Sequence, residues 1–274
     1  MICFPNAKIN IGLQITEKRP DGYHNINSVF YPIGIKDILE VLSGTDDQQD
    51  HVNFQLSGID IPGNFSDNLC VKAASLLMKD FPHIDKLRIH LHKIIPMGAG
   101  IGGGSADGAF VLKLINDKFK LKLDETQLID YASALGSDCP FFILNKPCYA
   151  KGRGEILEPL DINLNAYKIL LINPGIHINT GWAFSKIDIR NNHFSLKKAI
   201  ALPIVEWRQY IENDFEKVVF SEYPVVEGIK DMLYQNGAVY ASMSGSGSTV
   251  YGIFEASSAN FQPKIPSSYF YKWI

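Results

Sequence analysis

From residue 96 the chain reads Pro-Met-Gly-Ala-Gly-Ile-Gly-Gly-Gly-Ser-Ala, so five of the seven residues from 98 to 104 carry no side chain. A backbone this bare can turn its N–H groups to one side. The small and apolar residues that follow, Asp107-Gly108-Ala109-Phe110-Val111-Leu112, predict a helix from about Ser105 to Phe119. Free amides at the start of a helix, with the positive end of its dipole behind them, bind phosphate groups without a lysine in the loop. A flexible linker is the competing reading, and linkers are padded by polar residues on both sides. This run instead joins a patterned strand directly to an apolar helix: Leu87, Ile89, Leu91 and Ile95 alternate with Arg88, His90 and His92, as in a strand with one buried and one wet face.

Other kinds of nucleotide loop fit less well. The P-loop pattern ending in Gly-Lys-Ser/Thr is absent. Gly98, Gly100 and Gly103 satisfy the dinucleotide fingerprint G-x-G-x-x-G, but that fingerprint follows a fully buried parallel strand. The strand here alternates.

Composition narrows the partners. With 274 residues there is room for one large domain or two ordinary ones, and 46% hydrophobic with 20% charged residues is a globular balance. A net charge of −3 gives no global basic face for nucleic acid and no polybasic membrane patch. No apolar run approaches the ~20 residues of a transmembrane helix, and the first eight residues lack signal-peptide order. Cys3, Cys70, Cys139 and Cys148 form no C-x-x-C pair and the histidines no H-E-x-x-H. Reduced thiols in a cytoplasmic protein without a protein-held metal are expected.

In chain order, residues 6–15 alternate as a strand that places Lys8 and Asn10 on one face, which is either solvent or a site. Pro20-Asp21-Gly22 marks a turn, with the chain returning through 27–32 as a hairpin. Tyr23 and His24, just after that turn, suit a flat ligand: one ring stacks and the other directs a hydrogen bond. Short strands over 38–42 and 52–56 flank a polar loop from Ser43 to Asp50. Residues 67–78 predict a helix capped by Asp67, and 124–134 a helix capped by Asp124. Gly136-Ser137-Asp138-Cys139-Pro140-Phe141-Phe142 reads as a Pro-fixed turn holding a carboxylate at the edge of the core. Such a carboxylate either caps its turn or orients a hydroxyl and accepts its proton. A turn covers 149–155, a buried strand 167–172, a loop 173–184, helices and polar connections 197–236, and a hairpin 238–254 with a second Gly/Ser turn. A boundary near residues 150–160 is expected.

Together these stretches resemble the GHMP kinase superfamily. The resemblance rests on Ala7-Lys8-Ile9-Asn10, Arg19-Pro20-Asp21-Gly22-Tyr23-His24, Asp67-Asn68-Leu69, the loop 96–105, Gly136-Ser137-Asp138-Cys139-Pro140-Phe141-Phe142, Gly152-Arg153-Gly154-Glu155 and Met243-Ser244-Gly245-Ser246-Gly247. These occur in family order over most of the chain outside roughly 185–235. The Asp-Gly-Tyr-His segment sets the chain apart from the mevalonate, homoserine and galactose branches. The implied fold is α+β with two domains: a ribosomal-protein-S5-like ATP-binding domain over 1–155 and a ferredoxin-like α/β sandwich over 156–274, with the active site in the cleft.

The resemblance also implies ATP with Mg²⁺ and, as acceptor, a cytidylyl sugar-alcohol diphosphate of the non-mevalonate isoprenoid route. Pro96, Met97, Gly98, Ala99, Gly100, Ile101, Gly102, Gly103, Gly104, Ser105 and Ala106 would cradle the phosphates, with Asn68, Leu69 and Lys93 near the adenine. Asp138 would be the catalytic carboxylate and Lys8 its cationic partner, keeping it ionised. Tyr23, His24 and Asn10 would face the cytidine end, with Thr180 and Phe184 on the opposite wall. No nucleic acid or membrane is implied, and at most a weak homodimer. Two departures stand out: Ala106 replaces a frequent second serine, leaving any hydroxyl contact to Ser105, and Gly181 followed by Trp182 replaces a proline found in some members. A kinase for a different small alcohol and a non-catalytic nucleotide-binding module are the alternatives.

Overall fold

A computed structural model describes residues 1–45, 50–189, 194–257 and 261–274. In order, the elements are β1 (Ile2–Cys3), β2 (Asn6–Lys18), β3 (His24–Lys36), β4 (Ile38–Ser43), β5 (Val52–Gly58), α1 (Leu69–Asp80), β6 (Leu87–Lys93), α2 (Gly103–Phe119), α3 (Glu125–Leu135), α4 (Cys139–Leu144), β7 (Cys148–Lys151) and β8 (Ile156–Pro159). There follow β9 (Tyr167–Asn173), α5 (Thr180–Ser185), α6 (Leu196–Ala199), α7 (Ile204–Tyr210), α8 (Phe215–Glu222), α9 (Pro224–Gln235), β10 (Tyr240–Met243), β11 (Val250–Glu255) and β12 (Phe270–Trp273). Of the expected loop Ser43 to Asp50, residues 46–49 lie outside the described residues.

The chain forms two compact units, one of Met1–Ala7, Gly34–Met97 and Gly102–Lys146, the other of Lys8–Ile33, Gly98–Ile101 and Pro147–Ile274. The glycine run is itself divided between them.

The first unit is built on a sheet of order β1-β4-β6-β5, with β4 antiparallel and β5 parallel to β6. Along β6 burial alternates as expected: Leu87, Ile89 and Leu91 are buried, while Arg88 and His90 are exposed. The buried side carries Leu39 and Val41 from β4, and α1 and α2 bury Ala73, Ala74, Leu77, Val111, Leu112 and Ile115. A Cβ on Gly108 would sit 2.9 Å from the Leu69 Cβ, so α1 and α2 approach closely only because residue 108 is glycine. The cap of α1 lies one residue later than expected. Asn68 Oδ1 accepts from the Cys70 amide at 2.9 Å, while Asp67 closes a 3₁₀ turn and pairs with Lys72 at 3.3 Å. Either short polar side chain can serve, and the preceding turn decides which backbone takes the extended cap conformation. Asn68→Ala should therefore lower unfolding stability by about 1 kcal/mol, measured in urea without nucleotide. Asp124 caps α3 as expected, in a capping box with Gln127.

Two boundaries move. The helix α2 begins at Gly103, two residues before Ser105, because Gly102 takes a left-handed N-cap conformation that frees Gly103 to join the first turn. The expected turn at 136–142 is the start of a short helix, α4, with Pro140 in its first turn, where a missing N–H costs nothing.

The second unit holds two further four-stranded sheets, of order β2-β3-β7-β8 and β10-β11-β9-β12. The hairpin of β2 and β3 and that of β10 and β11 are the ones read from sequence. Residues 173–184 were expected as a loop, but 180–185 form α5, capped by Asn179 accepting from the Trp182 amide at 2.8 Å. One core joins Leu13 and Ile15 of β2, Leu170 and Ile172 of β9, and Phe215, Val219, Ile229 and Leu233 of α8 and α9. The first ten residues of β2 are buried on both faces. Lys8, Asn10 and Gln14 are thus interior polar groups. Among the described residues all four cysteines are free, and no helix is long and apolar enough to cross a membrane.

Candidate active site

Within the second unit every carbonyl from residue 99 to 101 is taken by a protein donor. The Thr249 amide donates to Ala99 O at 3.2 Å, the Ser244 hydroxyl to Gly100 O at 2.8 Å, and the Lys8 amide to Ile101 O at 3.0 Å. The Ala99 and Ile101 side chains are buried, which further anchors the segment. In a trans peptide the N–H points opposite the C=O, so the amides of Gly100, Ile101 and Gly102 are turned away from these donors. Left-handed φ values of +62°, +77° and +71° at Gly98, Gly100 and Gly102 produce this one-sided arrangement, which concentrates partial positive charge. Gly98 also passes against the His177 ring, where a Cβ would come within 2.8 Å.

In the first unit Gly102 caps α2 with no side chain to occupy the helix's leading amides. A pocket of about 180 Å³ lies beside this end, lined by Asn68, Leu69, Met97, Gly104 and Asp107 among others. Lys93 is buried behind it: its ammonium pairs with Asp37 and, at 2.8 Å, with Asp107. Burial opposes the Lys93 charge, yet Asp107 and Asp37 together hold its pKa above the ordinary lysine value. Lys93 thus faces two carboxylates, and it is Asp107 that lines the pocket. Pro96 is half-buried and Met97 exposed.

Ser105, in the first turn of α2, shares a hydrogen bond with the Cys139 thiol, whose pKa burial pushes up to about 12. Asp138, the residue before that thiol, stands at the N-cap of α4 without spending its carboxylate on a cap bond. The uncapped start of α2 and the backbone carrying Asp138 are therefore neighbours inside one unit. Ala106 is fully buried, so Ser105 supplies the hydroxyl here.

Lys8 and Asn10 belong to an interior network of the second unit. The Lys8 ammonium reaches Asn10 Oδ1 and lies 4.5 Å from the centroid of the Phe30 ring, while Asn10 Nδ2 donates to Ser28 Oγ at 2.9 Å. The Ser244 hydroxyl, which holds Gly100, also accepts from the Asn10 amide at 3.1 Å. The segment 99–101 and the strand bearing Lys8 thus share one clamp.

Further along β3, the His24 ring stacks flat on Phe184, 4.7 Å between centroids and 11° between planes. Phe184 is backed by Phe215 edge-on at 4.8 Å. Partial burial, with Lys18 adding to it, holds His24 below the ordinary histidine pKa, favouring a neutral ring. Tyr23 is 55% exposed, its ring covered on one side by the Arg153 guanidinium at 5.0 Å. Thr180 Oγ1 bonds Ser246 Oγ at 2.9 Å. A Cβ on Gly181 would lie 3.2 Å from the Asn179 side-chain oxygen that caps α5, so the small residue keeps that turn tight.

Four residues that sequence reasoning did not single out emerge as structural partners: Asp37, Asp107, Ser244 and Arg153. For the two carboxylates there was a signal. Lys93 continues the inward parity of Leu87, Ile89 and Leu91, so it demands buried counter-charges. Asp107 lies four residues before Val111 on the buried stripe of α2.

The chain matches the GHMP kinases N terminal domain over residues 68–146 and the GHMP kinases C terminal domain over 196–272. It is 52% identical to a 4-diphosphocytidyl-2-C-methyl-D-erythritol kinase of Bacteroides thetaiotaomicron over 93% of this chain and 92% of that protein. It is 38% identical to the protein of that name from Chlorobium chlorochromatii, over 96% of this chain and 92% of the relative. Among solved structures it resembles a 4-(cytidine 5'-diphospho)-2C-methyl-D-erythritol kinase, with a TM-score of 0.77 at 28% identity, covering 92% of this chain and 90% of the other.

Proposed function

The chain belongs to the GHMP kinase family, among the 4-diphosphocytidyl-2-C-methyl-D-erythritol kinases, and from that premise we propose how its residues divide the work. It is an ATP-dependent phosphotransferase that phosphorylates the 2-hydroxyl of 4-diphosphocytidyl-2-C-methyl-D-erythritol in the non-mevalonate route to isoprenoid precursors. Phosphoryl transfer needs positioning and charge neutralisation more than covalent chemistry from the protein. The turned-out amides of residues 100–102 and the uncapped start of α2 hold the triphosphate. Asn68, Leu69 and Met97 enclose the base, and Ser105 offers a hydroxyl to the phosphates. Asp138 orients the acceptor hydroxyl and draws off its proton, and Lys8 offsets charge that develops on the transferred group.

Among the described residues no group of three or more His, Cys, Asp or Glu side chains could hold a metal. Mg²⁺ therefore suits this chain as an ion carried in by the triphosphate, neutralising its oxygens, with Ser105 as the protein hydroxyl suited to its shell. Four free thiols suit a reducing, cytoplasmic setting.

The observation that carries the cytidylyl reading is the flat His24–Phe184 stack beside an exposed Tyr23 braced by Arg153. A pyrimidine needs an open ring face and a directional polar atom, and exposed Tyr23 with the His24 ring nitrogens suits both needs. Base–aromatic stacking is worth ~1–3 kcal/mol. Tyr23→Ala should therefore raise the KM for the cytidylyl alcohol roughly 5- to 150-fold and leave the KM for ATP within about twofold. Steady-state assays varying each substrate in turn measure this; equal effects on both would favour a kinase for a different alcohol.

A further inference from the structure

Asn213, in the connection between α7 and α8, is 3% exposed, and both polar atoms of its side chain are in use. Nδ2 donates to Met243 O at 2.7 Å and to Gly245 O at 2.8 Å, while Oδ1 accepts from the Phe215 amide at 3.0 Å. The backbone on either side is tied to β2: the Leu13 amide donates to Glu212 O at 2.9 Å and the Asp214 amide to Leu13 O at 2.8 Å. The side chain therefore reaches the turn after β10 from a fixed base. The Phe215 amide also decides which end of the group faces that turn, because an N–H can only meet the oxygen.

Met243 O and Gly245 O belong to the peptides that bracket the step Ser244-Gly245, so holding both sets the direction of that step. Ser244 then holds two segments at once: its hydroxyl donates to Gly100 O at 2.8 Å and accepts from the Asn10 amide at 3.1 Å. Gly245, at φ +57°, passes so near the glycine run that a Cβ would lie 3.1 Å from Gly100 O. Glu216, in the first turn of α8, anchors the strand just before this turn. Its Oε1 accepts from the Met243 amide at 2.8 Å and the Ser242 hydroxyl at 3.0 Å, and its Oε2 from the Lys230 ammonium at 2.6 Å. Glu216 thus holds the end of β10, and Asn213 the turn that leaves it. A short carboxamide is what this place requires: two carbonyl oxygens need two hydrogens from one atom, and the Phe215 amide needs an acceptor beside it. A carboxylate of the same shape would set lone pairs against both carbonyls, and a hydroxyl has one hydrogen to give.

We propose that Asn213 is a positioning residue for phosphoryl transfer: holding the turn at 243–245 from behind, it aims Ser244 at Gly100 and at the strand of Lys8, and so sets the direction of the phosphate-binding amides through the turn. The proposal rests on the reading that residues 100–102 hold the triphosphate. Because Ser244 joins the segment 99–101 to the strand bearing Lys8, ATP affinity and the transfer step should suffer together when the hold is lost. The cytidylyl end should not, provided the Phe215 amide keeps its acceptor, since the Phe215 ring backs Phe184.

Steady-state kinetics on the full-length enzyme, with each substrate varied in turn, tests this. Asn213→Asp keeps an acceptor for the Phe215 amide and loses the donors to the turn. It should raise the KM for ATP roughly tenfold, lower kcat, and leave the KM for the cytidylyl alcohol within about twofold. Ile229→Ala, a core truncation in α9, is the control. Its Tm should fall while both KM values hold, since a merely destabilised enzyme loses active molecules and not affinity. The route through the turn is tested by pairing variants: Asn213→Ala and Ser244→Ala should each raise the KM for ATP, and the double variant should match the worse of the two, whereas independent sites would multiply. An Asn213 variant that folds and keeps the wild-type KM for ATP, or a double variant at the product of the singles, overturns the proposal. If Asn213→Asp does not fold, the paired variants decide alone. A raised KM for ATP in Gly100→Ala without any effect at Asn213 sinks the proposal and leaves the phosphate reading standing. No effect on the KM for ATP at Gly100 or at Asn213 sinks that reading, and the proposal with it.

Discussion

The Asp138→Asn enzyme should bind ATP and the cytidylyl alcohol nearly as well as the wild type, yet transfer phosphate slower by roughly 10²–10⁴-fold. The substitution keeps shape and polarity and removes only the ability to accept a proton. Asp138 is suited to such a test because its carboxylate makes no cap bond to α4, so that helix start does not depend on it. The residues behind it, Cys139 to Ile143, are buried and hold the turn independently. The contact between Ser105 and the Cys139 thiol keeps this backbone beside the start of α2 whatever the side chain at 138. Single-turnover transfer together with calorimetric ATP binding separates the chemical step from nucleotide affinity. Turnover within tenfold of wild type would remove Asp138 from the chemistry and leave positioning by the loop as the whole of catalysis.

How far the chain could be read in advance follows from how local each feature is. The loop, the helix after it, the strand before it and the capping box of α3 all declare themselves within a dozen residues, because side-chain size, alternation and capping act over that range. The helices α4 and α5 are six residues each, shorter than a periodic pattern needs, and Pro140 and Gly181 make their starts look like turns. The capping of α1 by Asn68 instead of Asp67 is a choice between adjacent equivalents. Lys8 and Asn10 were legible as two polar residues on one face; that this face is interior depends on Ser28, Phe30 and Ser244, from β3 and the distant turn. The cluster of Lys93, Asp37 and Asp107 is legible only in part: the parity of Lys93 and the place of Asp107 on the buried stripe of α2 mark interior charges, but only folding shows which of them answer one another. The interleaving of the two units is likewise a matter of contacts between remote segments. Such contacts leave no mark on the sequence spacing of either segment.

Gly100→Ala should be the most damaging single-methyl change in the glycine run, and the reason lies 144 residues away. At φ +77° an L-residue is strained, costing about 1–2 kcal/mol. The added Cβ would also stand 2.0 Å from Ser244 O and 3.0 Å from Gly247 O, both main-chain atoms of the turn between β10 and β11. Neither can swing aside. Ser244→Ala would not relieve the clash, because its carbonyl stays where it is. The loop must therefore lift off the turn, breaking the Ser244–Gly100 and Thr249–Ala99 bonds that turn the amides outward. We expect a stability loss of about 3 kcal/mol or more from strain plus two lost bonds, and a KM for ATP raised at least tenfold, as the cradle loses its one-sided amides. Gly22→Ala is the control: its φ of +85° is as strained, but nothing lies within 4 Å of its Cβ. It should cost only the conformational part, about 1–2 kcal/mol, and leave nucleotide affinity alone. If the two variants melt alike and bind ATP alike, the turn at 244–249 is not what shapes the phosphate loop, and the amides owe their direction to the glycines alone.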